Sequence, residues 1–294
     1  MVDTGLKGKV AFITGANHGI GAATAVAFAR EGADVFLTYM RLSPDKHGAM
    51  GTNAASSTEK PGPAFYYRIL AQGAGDTVAA IRALGGRCAA READLADPGA
   101  AARLMDEAEK EFGKVDILVN NAAFDRPDSF LPAAELPDAG LFGGEYTVRT
   151  LTAASHDEHF AVNSRAVALL TAEFARRTIG RKAGWGRVIN VSTDGASGHG
   201  WSVSYGASKF AAESYARAAA AELGPHGITV NVVSPGAVQT GWLTGEAAEA
   251  IAKTYPLRRI GTPEDIAAAI VFFASEQAAW ITGQVLFVGG GNRM

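Results

Sequence analysis

The chain has 294 residues, of which 48% are hydrophobic, and a formal net charge of −3. The length and apolar content predict a globular protein with a large core, and the slight negative charge argues against nucleic-acid or anionic-membrane partners. The one cysteine, Cys88, cannot form an internal disulfide, and the N-terminal residues lack the pattern of a signal peptide. The longest apolar stretch, at 266–274, is too short to span a bilayer. We therefore expect a cytoplasmic protein.

Short apolar runs alternate along the chain with Ala-rich segments of helical length. The apolar runs predict strands at 9–15, 34–40, 87–95, 115–123, 186–193, 228–236 and 283–291. The intervening segments predict helices at 19–32, 76–86, 97–112, 155–180, 203–223 and 262–275. This alternation predicts an α/β fold in one domain over 1–294, a doubly wound parallel sheet of seven strands with helices on both faces. Ligands bind such sheets at the carboxyl ends of the strands.

Several helices carry recognisable start signals. Asp97–Pro98 supplies an N-cap and first residue for one helix, and Thr262–Pro263 does so for another. The stretch SHDEH at 155–159 places two histidines beside acids, a pattern that suggests a metal. We interpret Ser155 and Glu158 as a capping box instead, and expect no metal, because no separate ligand set accompanies the histidines.

Two segments interrupt the alternation. Residues 41–64 are polar and broken by Pro and Gly, which predicts a long loop or mobile insertion. Residues 124–154 hold three prolines among scattered Phe, Leu and Tyr, which predicts an ordered excursion, because these apolar side chains need a surface to pack on.

The first strand ends in the glycine-rich loop TGANHGIG at 14–21. Gly15, Gly19 and Gly21 permit a tight turn, and the helix that follows offers free N–H groups and a positive dipole to a phosphate. The spacing is GxxxGxG rather than GxGxxG. The loop therefore indicates a dinucleotide phosphate site, with a turn that binds no ligand as the alternative.

The stretch SVSYGASKF at 202–210 places Tyr205 and Lys209 four residues apart, on one face of the predicted helix. Such a pair alone is typical of a solvated helix surface. An ammonium group beside a phenol also stabilises the phenolate, which moves the pKa of tyrosine from about 10 towards working pH. The pair can then act in general acid–base catalysis.

Four motifs in this order, TGANHGIG, NNAA, YGASK and SPGAVQT, resemble the short-chain dehydrogenase/reductase family, in the pattern of bacterial carbonyl and β-ketoacyl reductases. The resemblance implies a Rossmann-like fold and an NAD(P)H-dependent oxidoreductase. Its reaction would be hydride transfer between the nicotinamide and a carbonyl or alcohol, that is, ketone reduction or secondary alcohol oxidation. Segments 41–75 and 124–154 are longer than is usual in the family.

The resemblance also implies a catalytic set. Tyr205 matches the general acid/base, and Lys209 matches the lysine that orients the cofactor and lowers the tyrosine pKa. Ser192, thirteen residues before Tyr205, matches the serine that polarises the substrate carbonyl. Asn163 matches the asparagine that holds a water of the proton relay.

The cofactor site transfers in the same way. Asp94 is expected to contact the adenine, Thr240 the pyrophosphate or carboxamide, and Thr14 to fix the first turn; Ala123 stands where the family usually has glycine. The residues predicted to bind the cofactor are Gly15, Asn17, His18, Gly19, Ile20, Gly21, Arg41, Asp94, Leu95, Asn121, Ala122, Ala123, Tyr205, Lys209, Pro235, Gly236, Val238 and Thr240.

The end of the second strand bears on the choice of cofactor. NAD-specific members of the family usually place an acid there, whereas this chain has Tyr39 and Met40, followed by Arg41. A nearby guanidinium without a carboxylate favours NADP(H) over NAD(H). The alternative is that Arg41 merely begins a solvated insertion.

The substrate is expected to be a small carbonyl or alcohol in an apolar, partly aromatic pocket. The residues predicted to line it are Phe124, Asp194, His199, Trp201, Trp242 and Leu243, each of which could instead be ordinary packing. The alternatives are a 3-oxoacyl-[acyl-carrier-protein] reductase and a non-catalytic dinucleotide sensor. The resemblance also implies a homotetramer or homodimer, formed through the two long helices and the C-terminal strand.

Overall fold

The computed structural model describes residues 3–42, 59–136 and 146–293. In this part of the chain, one parallel sheet has seven strands in the order β3-β2-β1-β4-β5-β6-β7, as the alternation predicts. Its strands are β1 (Val10–Ile13), β2 (Asp34–Tyr39), β3 (Cys88–Glu92), β4 (Ile117–Asn120), β5 (Gly186–Val191), β6 (Ile228–Pro235) and β7 (Val285–Val288).

The central strands are buried along their whole length, as expected of a sheet covered on both faces. β1 lies between β2 and β4, so the connection that follows β3 returns to the other side of β1. The strand order therefore reverses between β1 and β4. In open α/β sheets this reversal opens the crevice in which ligands bind.

The helices cover both faces of the sheet. They are α1 (Gly19–Arg30), α2 (Pro63–Leu70), α3 (Gly75–Ala83), α4 (Ala100–Phe112), α5 (Ala153–Phe160), α6 (Val167–Gly180), α7 (Val203–Leu223), α8 (Gly245–Thr254) and α9 (Pro263–Ala274). α1 packs against α3 and α9, and α6 packs against α4 and α7. Two hydrophobic clusters result, one on each side of the sheet. None of the described helices is long and apolar enough to cross a membrane.

The start of α4 differs from the prediction. Asp97 does not cap the helix; its carboxylate accepts the N–H of Gly99 at 2.9 Å, and its carbonyl accepts the N–H of Ala100 at 3.0 Å. These bonds close a turn ahead of the helix, so Gly99 becomes the N-cap. The start of α9 is as predicted, with Thr262 as the cap and Asp265 completing a capping box.

The capping box predicted at Ser155 and Glu158 is wrong. The helix begins one turn earlier, where the Thr152 hydroxyl accepts the N–H of Ser155 and the Ser155 hydroxyl accepts the N–H of Thr152. Glu158 instead pairs with Arg126 at 3.2 Å. The long helix predicted at 155–180 is also interrupted by a π-helical turn at Ala161–Ala166, between α5 and α6.

The sequence pattern did not predict α2 and α8. α2 lies at the end of the segment interpreted as a loop, and it begins after Gly62, whose N–H donates to Gly241 O at 2.9 Å. Residues 43–58 lie outside the described residues, so the mobility predicted for this segment stays a prediction.

The described parts of segment 124–154 form a small parallel pair, Asp128–Ser129 with Arg149–Thr150. The buried carboxylate of Asp128 accepts the N–H of Ser204 at 2.9 Å and the hydroxyl of Ser155 at 3.2 Å. This carboxylate joins the segment to the first turns of both α5 and α7. Residues 137–145 lie outside the described residues.

Candidate functional site

The loop after β1 is tied to the end of β4. The N–H groups of Asn121 and Ala122 both donate to the Thr14 hydroxyl oxygen, each at 3.0 Å. The Asn121 amide in turn donates to the carbonyls of Thr14 and Gly15, each at 2.9 Å. Thr14 therefore fixes the turn, as expected, and Asn121 braces both strand ends.

The glycines of this loop are required by close packing of the chain. Gly15 has a φ of +65°, and a Cβ there would lie 2.8 Å from Ala122 Cα. A Cβ at Gly21 would lie 2.2 Å from Gly15 O. The loop can therefore bring its backbone and the N-terminus of α1 close to a ligand.

The loop after β6 forms the facing wall. A Cβ at Gly19 would lie 3.1 Å from Thr240 Cγ2, so the two loops touch. Pro235 ends β6, Gly236 donates its N–H to Val288 O at 3.2 Å, and Val238 forms a parallel bridge with Gly261. Residues predicted from three distant motifs thus meet at one edge of the sheet.

The helix α2 and the residues just after it contact the glycine-rich loop at 14–21. The ring of Tyr66 lies edge-on to His18, with 6.1 Å between centroids, and the Asn17 amide donates to Gln72 O at 3.0 Å. Burial lowers the pKa of His18, which keeps it neutral. Its buried Nδ1 has no hydrogen-bond partner within the described chain. An orphaned nitrogen beside the free N–H groups of α1 fits a ligand that carries phosphates.

The end of β2, where the adenosine is expected, faces a carboxylate that was not predicted from the sequence. Arg41, predicted to favour NADP(H), forms a forked ion pair with Glu92, with Nη2 to Oε2 at 2.6 Å. The parallel register places Glu92 opposite Tyr39, so β3 supplies the acid that β2 lacks. Asp94 forms a turn by accepting the N–H of Ala96 at 2.8 Å.

Tyr205 and Lys209 project from the first turns of α7. Lys209 is 2% exposed; its Nζ donates to Val191 O at 2.9 Å and lies 5.8 Å from the centroid of the Tyr205 ring. Burial lowers the pKa of Lys209 to about 8. Burial raises the pKa of Tyr205, and Asp125 is the next largest cause. Tyr205 is therefore a neutral phenol, and the lowering of its pKa that the sequence predicted from Lys209 is not found, because burial and the nearby carboxylates raise it.

Ser192 and Thr193 lie just beyond the end of β5. The buried Ser192 hydroxyl donates to Oε1 of the equally buried Glu213 at 2.7 Å. Thr193 is partly exposed, and its hydroxyl oxygen accepts the N–H of Gly195 at 3.3 Å. The Ser192 hydroxyl is therefore directed to Glu213 on α7, whereas the Thr193 hydroxyl bonds within its own loop.

Asn163 lies in the π-helical turn and is fully buried. Its side chain accepts the N–H of Phe124 at 2.8 Å and donates to Phe124 O at 2.7 Å. The same amide donates to the Ser208 hydroxyl at 3.0 Å, and that hydroxyl donates to Tyr205 O at 2.8 Å. The asparagine thus connects the end of β4 to α7.

Of the residues predicted to line the substrate pocket, His199 and Asp194 lie near Tyr205, whereas Trp242 and Leu243 make contacts elsewhere. The His199 ring lies edge-on to Tyr205, with 5.8 Å between centroids, and the charge of Asp194 contributes to the raised pKa of Tyr205. Trp201 is 39% exposed. Trp242 donates its indole N–H to Val238 O at 2.9 Å, whereas Leu243 is fully buried and packs in the interior.

A family model described as enoyl-(acyl carrier protein) reductase matches residues 46–293. An oxidoreductase from Bacillus subtilis named YjdA is 34% identical, over 96% of each chain. L-rhamnose 1-dehydrogenase (NAD(P)(+)) from a Sphingomonas strain is 32% identical, over 97% of this chain and 96% of that protein. A solved short-chain dehydrogenase/reductase from Serratia marcescens superposes with a TM-score of 0.75 at 31% identity, over 98% of both chains.

The chain belongs to the short-chain dehydrogenase/reductase family. It is an NAD(P)-dependent oxidoreductase that transfers a hydride between the cofactor and a carbonyl or alcohol. The glycine loop, the orphaned His18 nitrogen and the buried Lys209 fit a nicotinamide dinucleotide along the edge of the sheet.

Besides Glu92, two residues near Tyr205 were not predicted from the sequence. Asp125, two residues after the NNAA motif, contributes to the pKa shifts of both Tyr205 and Lys209. Burial raises the pKa of Tyr66, on α2, to about 12, with Asp125 again a contributor. Neither residue is part of a recurring motif, and they lie in 41–75 and 124–154, the segments that are longer than is usual in the family, so no sequence signal identified them.

The buried ammonium of Lys209 should cost folding stability. Because its folded pKa is about 8 against 10.5 unfolded, the cost is fully present below pH 8 and disappears as the pH rises towards 10.5. We expect Lys209→Met, without cofactor, to raise the free energy of unfolding at pH 7 by about 2 kcal/mol, and by less at pH 9.5. Urea denaturation at both pH values measures this.

The matched control is Lys253→Met on α8, where the lysine is exposed. A surface substitution of this kind should change the free energy of unfolding by less than about 0.5 kcal/mol. Destabilisation by Lys209→Met at pH 7 would contradict the argument.

Proposed function

We propose that this oxidoreductase acts on a small carbonyl or alcohol substrate, with Tyr205 as the general acid in reduction and the general base in oxidation. The observation that supports this role is the neutral phenol of Tyr205 with the buried Lys209 ammonium one helical turn away. The cofactor, when bound, supplies or accepts the hydride. Tyr205 supplies the proton to the carbonyl oxygen, and the Lys209 ammonium stabilises the phenolate left behind.

The cofactor would be held at three places along the sheet edge. The loop at 14–21 would bind the pyrophosphate through backbone N–H groups. Asp94 and the residues 121–123 would line the adenosine side, and the loop at 235–240 would flank the nicotinamide. Lys209 lies beside Tyr205 and can orient the nicotinamide ribose at the same time.

The experiment is Tyr205→Phe, which removes the hydroxyl and keeps the ring. We expect kcat to fall by about 10³-fold, since loss of a general acid typically costs 10²–10⁴, while the Kd for NADPH, from fluorescence titration, changes little. Turnover that survives the substitution would refute the role of Tyr205. If the wild-type protein turns over no member of a broad ketone and alcohol panel, a sensor is favoured. If acetoacetyl thioesters exceed small ketones, a 3-oxoacyl-[acyl-carrier-protein] reductase is favoured.

The polarising hydroxyl has two candidates at the end of β5. Ser192 is the prediction from the sequence, but its proton is already donated to Glu213. Thr193 accepts the N–H of Gly195 and is partly exposed, so its own proton is available to a substrate oxygen. We therefore assign the polarising role to Thr193, with Ser192 positioning the helix that carries Tyr205.

This assignment predicts different effects for two substitutions. Thr193→Val should lower kcat by about 10²-fold, the usual loss for one donor to a developing oxyanion, with little change in Tm. Ser192→Ala leaves Glu213 without its donor, so it should lower the free energy of unfolding by about 1–3 kcal/mol and reduce kcat less than Thr193→Val. Steady-state kinetics and thermal melts of both variants decide, and the opposite ranking of kcat would restore Ser192.

NADP(H) is the preferred cofactor in this proposal, through Arg41. The ion pair with Glu92 holds this guanidinium near the adenosine end, yet both partners are solvent-exposed and can separate. A 2′-phosphate would compete with Glu92 for the same forked donor. Glu92 then weakens NADP(H) binding by occupying Arg41 and by repelling the phosphate.

Glu92→Gln should therefore raise the ratio of kcat/KM for NADPH to that for NADH by about tenfold. The control is Glu107→Gln, which removes a carboxylate from a different ion pair, with Arg91 on β3. An unchanged ratio in Glu92→Gln, or a rise in the control as well, would show that Arg41 does not read the 2′-phosphate.

We also propose the homotetramer implied by the family resemblance. Large apolar side chains are exposed on α6, on α7 and near β7, the regions predicted to form the interfaces; they are Leu169, Phe210, Tyr215, Trp280, Leu286 and Phe287. Such exposed apolar groups are typical of surfaces that a second copy covers. The cytoplasmic location remains a prediction from the sequence.

A further inference from the structure

We propose that Asp125 selects substrates that carry a hydroxyl group next to the reacting carbon, so that this enzyme acts on vicinal diols and the corresponding hydroxyketones. The inference rests on the proposed function, because it requires that the reaction takes place at Tyr205. It deepens that function by naming the substrate class.

Asp125 is held by a hydrogen bond at the N-terminus of α7, the helix that carries Tyr205. It follows β4, and its Oδ1 accepts the hydroxyl of Ser202 at 3.2 Å. Ser202 is buried and is the N-cap residue of α7, three positions before Tyr205. The adjacent residue, Phe124, is held through its backbone by Asn163. The carboxylate therefore has a fixed place at the helix end that presents the general acid.

The carboxylate also has capacity for a ligand. Its side chain is 44% exposed, and within the described chain its Oδ2 accepts no hydrogen bond. The neighbouring Arg126 points elsewhere, to Glu158 at 3.2 Å. His159 Nε2 lies 3.7 Å from Oδ1 and accepts the N–H of Arg126 at 3.1 Å. Burial opposes protonation of His159, but Asp125 and the Ser155 backbone raise its pKa, so His159 faces Oδ1 and leaves Oδ2 open.

The carboxylate lies within electrostatic reach of the reacting groups. Its charge contributes to the raised pKa values of Tyr205 and Tyr66, and it opposes the lowering of the Lys209 pKa by burial. A second carboxylate, Asp194, affects Tyr205 too, and it already accepts the Asn292 amide at 2.7 Å. A substrate carbonyl that faces Tyr205 therefore brings its neighbouring substituents towards an acceptor with unused capacity.

A carboxylate in this position favours one kind of substituent. It accepts strongly from a hydroxyl, whereas a substrate that offers only a methyl group displaces water from Oδ2 and gives that oxygen no donor. Sites built to bind a substrate hydroxyl therefore discriminate strongly against analogues that lack it. An anionic substituent, such as a carboxylate or phosphate next to the carbonyl, would be repelled.

The experiment compares the oxidation of three secondary alcohols that differ in one group: propan-2-ol, propane-1,2-diol and 1-aminopropan-2-ol. The wild-type enzyme should show kcat/KM at least about tenfold higher for one enantiomer of the diol than for propan-2-ol. Asp125→Ala should bring this ratio close to one, and Asp125→Asn, which keeps a neutral acceptor, should leave it intermediate. If Asp125→Ala does not fold, Asp125→Asn alone still tests the ratio.

Glu158→Gln is the matched control, since it removes an exposed carboxylate on α5 that faces Arg126. The diol-to-alcohol ratio should stay at the wild-type value in this variant. A ratio that is unchanged in both Asp125 variants overturns the inference while the proposed function stands. A preference for the amine over the diol that depends on Asp125 overturns the hydroxyl assignment in favour of a cationic substrate. Failure of the wild-type enzyme to oxidise or reduce any alcohol or ketone overturns the proposed function, and this inference with it.

Discussion

The arrangement of the site depends on one buried amide, the side chain of Asn163. It bonds to both the N–H and the carbonyl of Phe124, at 2.8 and 2.7 Å, and so closes the end of β4 onto the π-helical turn before α6. Its third bond, to Ser208, continues to the carbonyl of Tyr205. A fully buried amide leaves a costly unsatisfied group if any of these partners moves. The position of Tyr205 is therefore fixed relative to the segment that carries Asp125. π-helical turns are frequent at functional sites, and here the turn gives the asparagine access to a backbone outside its own helix.

The same constraint explains how a charged lysine can remain inside the protein. Lys209 lies on the turn of α7 that Ser208 anchors, and its Nζ donates to the carbonyl of Val191 at the end of β5. The lowered pKa shows that burial opposes the charge more than its neighbours support it. The ammonium remains buried despite this cost, because it donates to Val191 O and because the bond from Asn163 to Ser208 holds the turn of α7 that carries it. The role proposed for Lys209 and the folding stability of the protein therefore make opposite demands at this position.

Periodicity predicted the sheet well, because buried parallel strands are continuous apolar runs and the helices between them have one apolar face. Errors arose where a few side chains decide a local boundary. Asp97 accepts the N–H of Gly99 in a turn and does not cap the helix. Thr152 forms a capping box with Ser155, so α5 begins one turn before the predicted start. Spacing also located Ser192 but could not show where its hydroxyl points, because that direction depends on Glu213, 21 residues further along the chain. The acid opposite Arg41 was missed for a similar reason, since β3 supplies it from 51 residues away.

The residues proposed to carry out hydride transfer and those proposed to select the substrate come from different parts of the sequence. The glycine loop, Tyr205 and Lys209 come from motifs, whereas Tyr66 and Asp125 come from 41–75 and 124–154, the two segments that are longer than is usual in the family. A hydride-transfer site needs the first set whatever the substrate, so those residues carry little information about it. The second set adds a phenol and a half-exposed carboxylate around a neutral acid, which is a surface that accepts hydrogen bonds. Selectivity in such a site follows from the groups that would be left unpaired by the wrong substrate. The substrate class proposed for this enzyme therefore rests on the segments that depart from the family pattern, and the motifs alone would not have suggested it.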